Sequence, residues 1–578
     1  MRVVEGRRLT GPNLYLDSTG AAVEVVLEPG EDAAAIHARW RVHVAAGLGA
    51  LDLLPPDMAP VTSFRPHQGG ATLIVAAEFD TLHTTVEVAE WAAAAVATPD
   101  VLAGDSALEG DDALAAHLPR LTELLAQERN PFKPAWRDRA RQEGLPFLWD
   151  DDALSIGFGD HGHSWPTVDL PAPDTVDLHA YGTIPVALVT GTNGKTTTAR
   201  LLARILKEAG HQVALTSTDG IHVGDALVES GDFTGPVAAR RALRDPRATA
   251  AVLETARGGL LRRGLATDQA DAAVVTNAAD DHLGEWGIDD VFQMAEAKLI
   301  VAKGLHRRGL LVLNLMNAPL VLAAAKLGLD HTHRIGWFAV APWPSVAYAV
   351  QRGEPVALDN YGRIVILEGG REVDLGPVAD VPITLGGAAR HNVENLLAAA
   401  LAAYGMGVEP DAIRRGLLGF RPDARDNPGR ANLFQCNGAT LLVDFAHNPE
   451  GLRRLGDVVR KLPAKRRLLV VGQAGDRRDG DVAALCDEAV KLRFDRYVLK
   501  EALHYLRGRA LGEMPALLAR LLRERGVPER ALAYATDEQD AVAQALAWLQ
   551  PGDLGVLLVH DDFGAALRQV VGAGAVGV

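Results

Sequence analysis

Short unbroken apolar runs alternate with stretches of helical spacing along most of this chain. Residues 186–190 (VALVT), 250–253, 273–276 and 310–313 are apolar without the in-out alternation of a half-exposed strand. Such runs fit strands buried on both faces, as in a parallel sheet. Between them lie helix-like segments, including an Ala-rich one at 392–404. From 184 to about 420 the alternation predicts a mainly parallel sheet with helices on both faces. A second set of apolar runs, 441–444, 467–472, 496–499 and 554–560, predicts another α/β domain, Rossmann-like in pattern. The first ~150 residues mix β-like runs (23–27, 71–76) with helix-like ones (32–40, 111–118) and read as a compact α+β unit. Residues 157–182 are dense in Gly, Pro, His and Asp, and 421–430 (RPDARDNPGR) interrupt helix and strand alike. The expected organisation is an N-terminal α+β domain over 1–165, a linker at 166–183, a central domain over 184–425 and a C-terminal domain over 426–578.

Composition narrows the class. Of 578 residues, 48% are apolar and 23% charged, enough for several buried cores. The net charge of −16 disfavours nucleic acid and anionic membrane as partners, while leaving room for a local anion site. Cys436 and Cys486 are the only cysteines, too far apart for a thiolate metal motif. With no signal-like N-terminal segment and no apolar run of about 18 residues, the expected location is the cytoplasm. A homo-oligomer is left open.

The most specific chemistry follows the first central strand. Gly191-Thr192-Asn193-Gly194-Lys195-Thr196-Thr197 leads into a helix. Two glycines let backbone N–H groups turn toward an anion, the helix start adds partial positive charge, and Lys195 adds a full one. The Thr196 hydroxyl suits Mg²⁺, so ATP and Mg²⁺ are the expected ligands. The spacing is GxxGK[ST], not the commoner GxxxxGK[ST], and an ordinary glycine turn is the bland alternative. Two further strands end in polar clusters: Glu254-Thr-Ala-Arg-Gly-Gly259, and Asn277-Ala-Ala-Asp-Asp-His282-Leu283. Either could be a turn or cap; after a phosphate loop, both fit metal ligation.

These motifs, with His391-Asn392-x-x-Asn395 and Asp444-x-Ala446-His447-Asn448-Pro449, resemble the Mur ligase family of ATP-dependent amide ligases. The runs at 216–220, 234–236, 254–259, 427–430, 475–479 and 506–509 resemble in particular the Mur-like part of the cyanophycin synthetases. Residues 10–13 (TGPN) and 154–159 (LSIGFG) resemble their N-terminal domain. The ATP-grasp domain that those enzymes carry between these parts has no counterpart here; only the short linker stands in its place. The resemblance implies that Lys195 holds phosphates and that Thr196, Glu254 and His282 ligate metal. It implies that Lys298 is a carbamoylated metal ligand, against the alternative of a solvated helical lysine. By the same resemblance Asn392 reaches the adenine, Arg430 the nucleotide and Asp444 the ribose, while His447 closes its loop. Helix capping rivals these readings of Asn392 and Asp444.

The implied activity is an ADP-forming ligase that joins a carboxylate to an amino-acid amine, with an amino acid or small peptide as substrate. A cyanophycin-related pair, an Asp side-chain carboxylate with Arg or Lys, is one version. Arg477, Arg478, Arg507 and Arg509 are candidates for an amino-acid carboxylate, and Asp476, Asp479 and Glu501 for a basic side chain. A solvated charged surface is the plain alternative. His83 and Glu87 have helical spacing suited to a metal, more simply read as an exposed face. The rival functions are a non-catalytic nucleotide-binding partner of a separate synthetase, and a peptidoglycan-precursor ligase.

Overall fold

The computed structural model describes residues 1–97, 109–281 and 283–577. The chain forms two compact units. One comprises Met1–Phe338, Ala349–Val356 and Ala398–Glu409; the other comprises Ala339–Tyr348, Ala357–Leu397 and Pro410–Val578.

The first unit opens with strands β1 (Arg2–Leu9), β2 (Gly20–Val26), β3 (Thr62–His67) and β4 (Gly70–Ala76), an antiparallel sheet in the order β1-β2-β4-β3. Helices Ala33–Ala50 and Leu82–Ala97 supply its core. Asp32 caps the first by accepting from the Ala35 N–H at 2.9 Å. Buried Trp40 packs there, and its indole donates to the Ala89 carbonyl at 2.9 Å. Strands β5 (Phe147–Trp149), β6 (Ala153–Ile156) and β7 (His163–Pro166) form a small antiparallel sheet.

The large sheet of this unit contains β8 (Val186–Thr190), β9 (Val213–Ser217), β10 (Gly220–Val223), β11 (Ala226–Ser230), β12 (Ala250–Glu254), β13 (Ala270–Val275), β14 (Leu305–Asn314) and β15 (Arg334–Ala339). Their order is β11-β10-β9-β12-β8-β13-β14-β15, parallel from β9 to β15. Every residue of β8, β9 and β12 is buried, which is why these runs lack alternation. The chain leaves β8 toward one side and returns to its other side as β13. Ligands of open α/β sheets bind at the carboxyl ends of strands at such a reversal.

The TGPN run ties the N-terminal sheet to the large one. The Thr10 N–H donates to the Arg263 carbonyl at 2.8 Å, and the Leu265 N–H to the Pro12 carbonyl at 2.8 Å. Arg240, 4% exposed, donates to the Thr10 carbonyl and hydroxyl at 3.2 and 3.0 Å. Gly11 is dictated by proximity, since a Cβ there would lie 2.1 Å from the Leu265 carbonyl oxygen.

The second unit holds most of β16 (Val356–Asn360), then β17 (Arg363–Glu368) and β18 (Arg371–Pro377), the last two paired antiparallel. Its main sheet contains β19 (Asn432–Cys436), β20 (Ala439–Asp444), β21 (Arg467–Val471), β22 (Arg496–Lys500), β23 (Leu532–Ala535), β24 (Leu554–Leu558) and β25 (Val576–Gly577), in the order β23-β22-β21-β24-β20-β19-β25. The five strands from β23 to β20 are parallel. One face packs Leu469, Tyr497 and Leu518, the other Leu441, Val470 and Val542, so helices cover both sides as the alternation predicts. Cys436 and Cys486 are buried free thiols. Among the described residues, no helix is long and apolar enough to cross a membrane.

Candidate active site

Strand β8 delivers the chain to Gly191 at φ +152°. A Cβ there would fall 1.8 Å from the Thr276 hydroxyl, so no other residue fits. Gly194, at φ +85°, is the N-cap of helix Lys195–Glu208 and has no side chain with which to cap it. The helix start is thereby shaped for an anion. The loop is held from its neighbour strand β13. The Thr192 N–H donates to the Asn277 carbonyl at 2.9 Å, and the Asn193 N–H to Asn277 Oδ1 at 2.9 Å. In return the Thr276 hydroxyl and the Asn277 amide donate to the Asn193 carbonyl at 2.6 and 3.0 Å. The Thr192 hydroxyl accepts from the Ala279 N–H at 3.1 Å. Lys195 is half-buried and donates to the Thr192 carbonyl at 3.1 Å. Thr196 is 6% exposed in the first helical turn, its hydroxyl 3.4 Å from that of Thr218, just past the end of β9; Thr197 beside it is also buried.

Glu254 closes β12 at 1% exposure, level with Val189 of β8 in the parallel register. Lys298 ends helix Val291–Lys298 and is 3% exposed, which removes the reading of a solvated lysine. Burial holds its amine well below the usual lysine range; nearby Lys195 pushes the same way, Asp281 opposes, and Arg257 adds to the lowering. Lys195, Thr196, Glu254 and Lys298 therefore share one end of one sheet. His282 lies outside the described residues. Among the described residues, no cluster of three or more His, Cys, Asp or Glu could hold a metal. Mg²⁺ typically takes one or two carboxylates and completes its shell with water and substrate phosphates.

In the second unit Asp444 ends β20 and accepts from the Ala431 and Ala446 N–H groups, each at 2.7 Å. Desolvation raises its carboxyl above the usual range, with Arg430 the foremost opposing charge. The Arg430 guanidinium lies 4.3 Å from the Phe445 ring centroid, and His447 Nδ1 is 3.2 Å from the Phe445 carbonyl. Asn448, not Asp444, caps the following helix Pro449–Lys461. Asn392 is 2% exposed; its amide donates to the Ile383 carbonyl at 3.0 Å and its oxygen accepts from Asn395 at 3.1 Å. The loops after β21 and β22 are stapled by arginine. Arg507 pairs with Asp476 at 2.6 Å, Arg509 with Asp479 at 2.7 Å, and Arg478 with Asp481 at 3.0 Å. Arg509 also donates to the Gly475 and Arg477 carbonyls, both at 2.8 Å, and Arg477 is 9% exposed. Glu501 accepts from the Gly512 N–H at 2.6 Å. The carboxylates considered for a basic ligand are thus engaged within the protein.

His83 and Glu87 do not converge on a metal-like pair: Glu87 binds Arg120 at 2.9 Å, and His83 approaches Asp151 at 3.9 Å. No individual role follows from the sequence for Thr276, Thr218 or Lys500, and Asn277 stands there only as part of a cluster suited to metal, not as a clamp on the loop. Lys500 is fully buried at the end of β22 and paired with Glu538, which also accepts the His560, Asp561 and Asp562 N–H groups.

Two regions of the chain match models of a known family. Residues 189–403 match the Mur ligase middle domain and residues 429–559 the glutamate ligase domain of Mur ligases. A cyanophycin synthetase of Synechocystis sp. is 41% identical over 404 residues, covering 68% of this chain and 45% of that protein. A UDP-N-acetylmuramoyl-L-alanyl-D-glutamate–2,6-diaminopimelate ligase of Geobacter metallireducens is 28% identical over 405 residues, covering 66% of this chain and 74% of that one. Among solved structures, a bifunctional folylpolyglutamate synthase/dihydrofolate synthase of Yersinia pestis aligns with a TM-score of 0.48 at 23% identity, over 68% of this chain and 89% of that one. The chain spans less than half the length of the cyanophycin synthetases it matches.

Proposed function

We propose that this chain, which belongs to the Mur ligase family through its middle and glutamate ligase domains, is an ADP-forming ligase joining a carboxylate to an amino-acid amine. The observation that carries the reading is the loop 191–197, where Gly191 is held against Thr276 and hydrogen bonds from β13 hold the backbone in a turn suited to an anion. Preorganised N–H donors and Lys195 offset the charge of the transferring γ-phosphoryl group. The substrate carboxylate attacks that phosphorus and ADP leaves, giving an acyl phosphate. The amine then attacks the acyl carbon, phosphate departs, and an amide remains. No side-chain nucleophile is needed; the protein orients the reactants and excludes water.

Glu254 and Thr196 present hard oxygen donors at adjacent strand ends, a set that fits Mg²⁺. When bound, Mg²⁺ supplies positive charge to the phosphates. His282 is the further ligand proposed from the family pattern. An uncharged amine can add CO₂ and release a proton to give a carbamate, and burial favours that uncharged form at Lys298. Lys298 is accordingly proposed as a carbamoylated ligand. In the second unit Arg430 and Asp444 are the proposed nucleotide contacts, with Asn392 proposed for the adenine. The cyanophycin synthetase relatives make an aspartate side-chain carboxylate and a basic amino acid the first substrate pair to try.

The test is ADP release with ATP, Mg²⁺ and pooled amino acids plus Asp-containing peptides. Amine-dependent ADP release with a new amide mass is expected, and Lys195→Ala should lower it roughly a thousandfold. CO₂-depleted buffer should slow it and bicarbonate restore it. Absence of turnover with every pool, or full turnover in Lys195→Ala, would overturn the reading.

A further inference from the structure

Beside Glu254 the first unit contains a cleft of about 660 Å³ between strand β1 and helix Arg257–Arg263. Its wall includes Ala256, two residues after Glu254, so it begins within about 7 Å of that carboxylate along the chain. Gly258 and Gly259 line the same wall, and a Cβ on Gly258 would meet only open space.

Four guanidiniums converge on this cleft: Arg7 and Arg8 from β1, Arg262 and Arg263 from the helix. Like charges gathered in a part-buried space repel unless something holds them. Trp286 holds two, with Arg7 and Arg262 at 4.4 and 5.2 Å from its ring centroid. Asp151 holds Arg8 at 2.7 Å. Among the described residues Arg263 has no carboxylate within ion-pair distance; its charge is disfavoured by burial, then by Arg8, with Asp151 opposing. The acidic side chains around the cleft are taken up mainly by other arginines. Glu87 is taken by Arg120, Asp232 accepts from the Thr234 hydroxyl at 2.7 Å, and Arg7 is paired with Glu24 at 3.4 Å and Glu5 at 3.7 Å. Arg7 and Arg8 are thus paired with carboxylates, while Arg262 and Arg263 have no ion pair among the described residues and are the guanidiniums left to face a ligand. Guanidinium forks match carboxylates in geometry, and a volume of this size exceeds one amino acid.

We infer that this cleft binds the carboxylate substrate of the ligase, and that this substrate is an acidic peptide presenting more than one carboxylate to Arg262 and Arg263. Its place in the reaction rests on the ligase reading above; the binding step does not. One carboxylate extends toward Glu254 and the phosphate loop, while others stay on the arginines and fix the register.

The experiment measures binding of a fluorescein-labelled octa-L-aspartate to the full chain by anisotropy, without nucleotide, alongside an octa-L-asparagine of equal length. The aspartate probe should bind at least tenfold more tightly, and its affinity should fall with added salt. Arg262→Gln/Arg263→Gln should weaken binding at least tenfold with an unchanged thermal midpoint, and Arg262→Lys should stay within about threefold of wild type. Should the double variant melt early, the single Arg262→Gln is read instead, with an expected loss of about threefold or more. Equal binding of the two probes, no binding of either, or unchanged affinity in the folded arginine variants would overturn the inference. Lys195→Ala should bind the probe normally while losing ADP release. Failure of the ligase reading leaves probe binding intact, so the two failures are separable.

Discussion

At the carboxyl ends of β8 and β13 the groups that shape the loop are small and neutral: two glycines, Thr192, Thr276 and Asn277, joined by short hydrogen bonds to backbone. At the carboxyl ends of β21, β22 and β24 the comparable positions are charged, with Arg507, Arg509 and Arg478 on carboxylates and Lys500 on Glu538. Both regions are crevices of parallel sheets. A neutral frame holds its shape whether or not an anion is present, because no charge loses a partner when the ligand leaves. An ion-paired frame can trade partners, since each guanidinium can exchange an internal carboxylate for a substrate one. Under the proposed function, the neutral frame would serve the one invariant group, the phosphates, and the ion-paired frame an amino acid around which it can rearrange.

The largest expected effect breaks the charged side. Lys500→Met leaves Glu538 buried without its cation and should cost about 3–5 kcal/mol in urea unfolding. Adding Glu538→Gln should recover at least half of that, and failure to recover would show that the pair is not what the site depends on. On the neutral side, Gly191→Ala forces a methyl group onto the Thr276 hydroxyl. A loss of about 2–3 kcal/mol is expected, with ATP binding by calorimetry weakened alongside. Asn277→Ala removes two of the loop's hydrogen bonds and should cost about 1–2 kcal/mol. Its signature is a raised KM for ATP with little change in KM for the amine. Smallest is Arg478→Ala: the pair with Asp481 is exposed and should contribute less than about 1 kcal/mol. A raised KM for the amine at unchanged stability would assign that arginine to the ligand.

The strand-loop-helix unit was legible because all its signals are local: an apolar run, two glycines, a lysine and a helix start within a dozen residues. Its clamp was not. Thr276 lies 86 residues from Thr190, and their hydrogen bond follows from sheet order, which places β13 beside β8. Asn277 could be seen in a motif, yet its work on the Asn193 backbone needs that neighbour relation. Lys298 was recognised as a candidate, while its burial depends on helix Val291–Lys298 packing against helices Arg257–Arg263 and Ala318–Lys326, and so short a segment gives no clear face. The pair Lys500–Glu538 spans 38 residues with no periodicity to announce it. The arginines after β21 and β22 were found as residues, but their present partners, Asp476 and Asp479, had been assigned to a ligand. Composition cannot tell a carboxylate that waits from one already engaged.

The strap between Thr10 and Arg263 has a consequence for how the protein is made. The two residues stand 253 positions apart, so β1 leaves the ribosome long before the helix end that completes it. At about 5–20 residues per second, synthesis separates them by roughly 13–50 s. During that interval the N-terminal sheet must persist by itself, and Arg240 has no Thr10 to receive it unless that sheet has survived. The arginine cleft therefore cannot exist before Arg263 has been made, and is assembled only when the earliest and the middle portions of the chain meet.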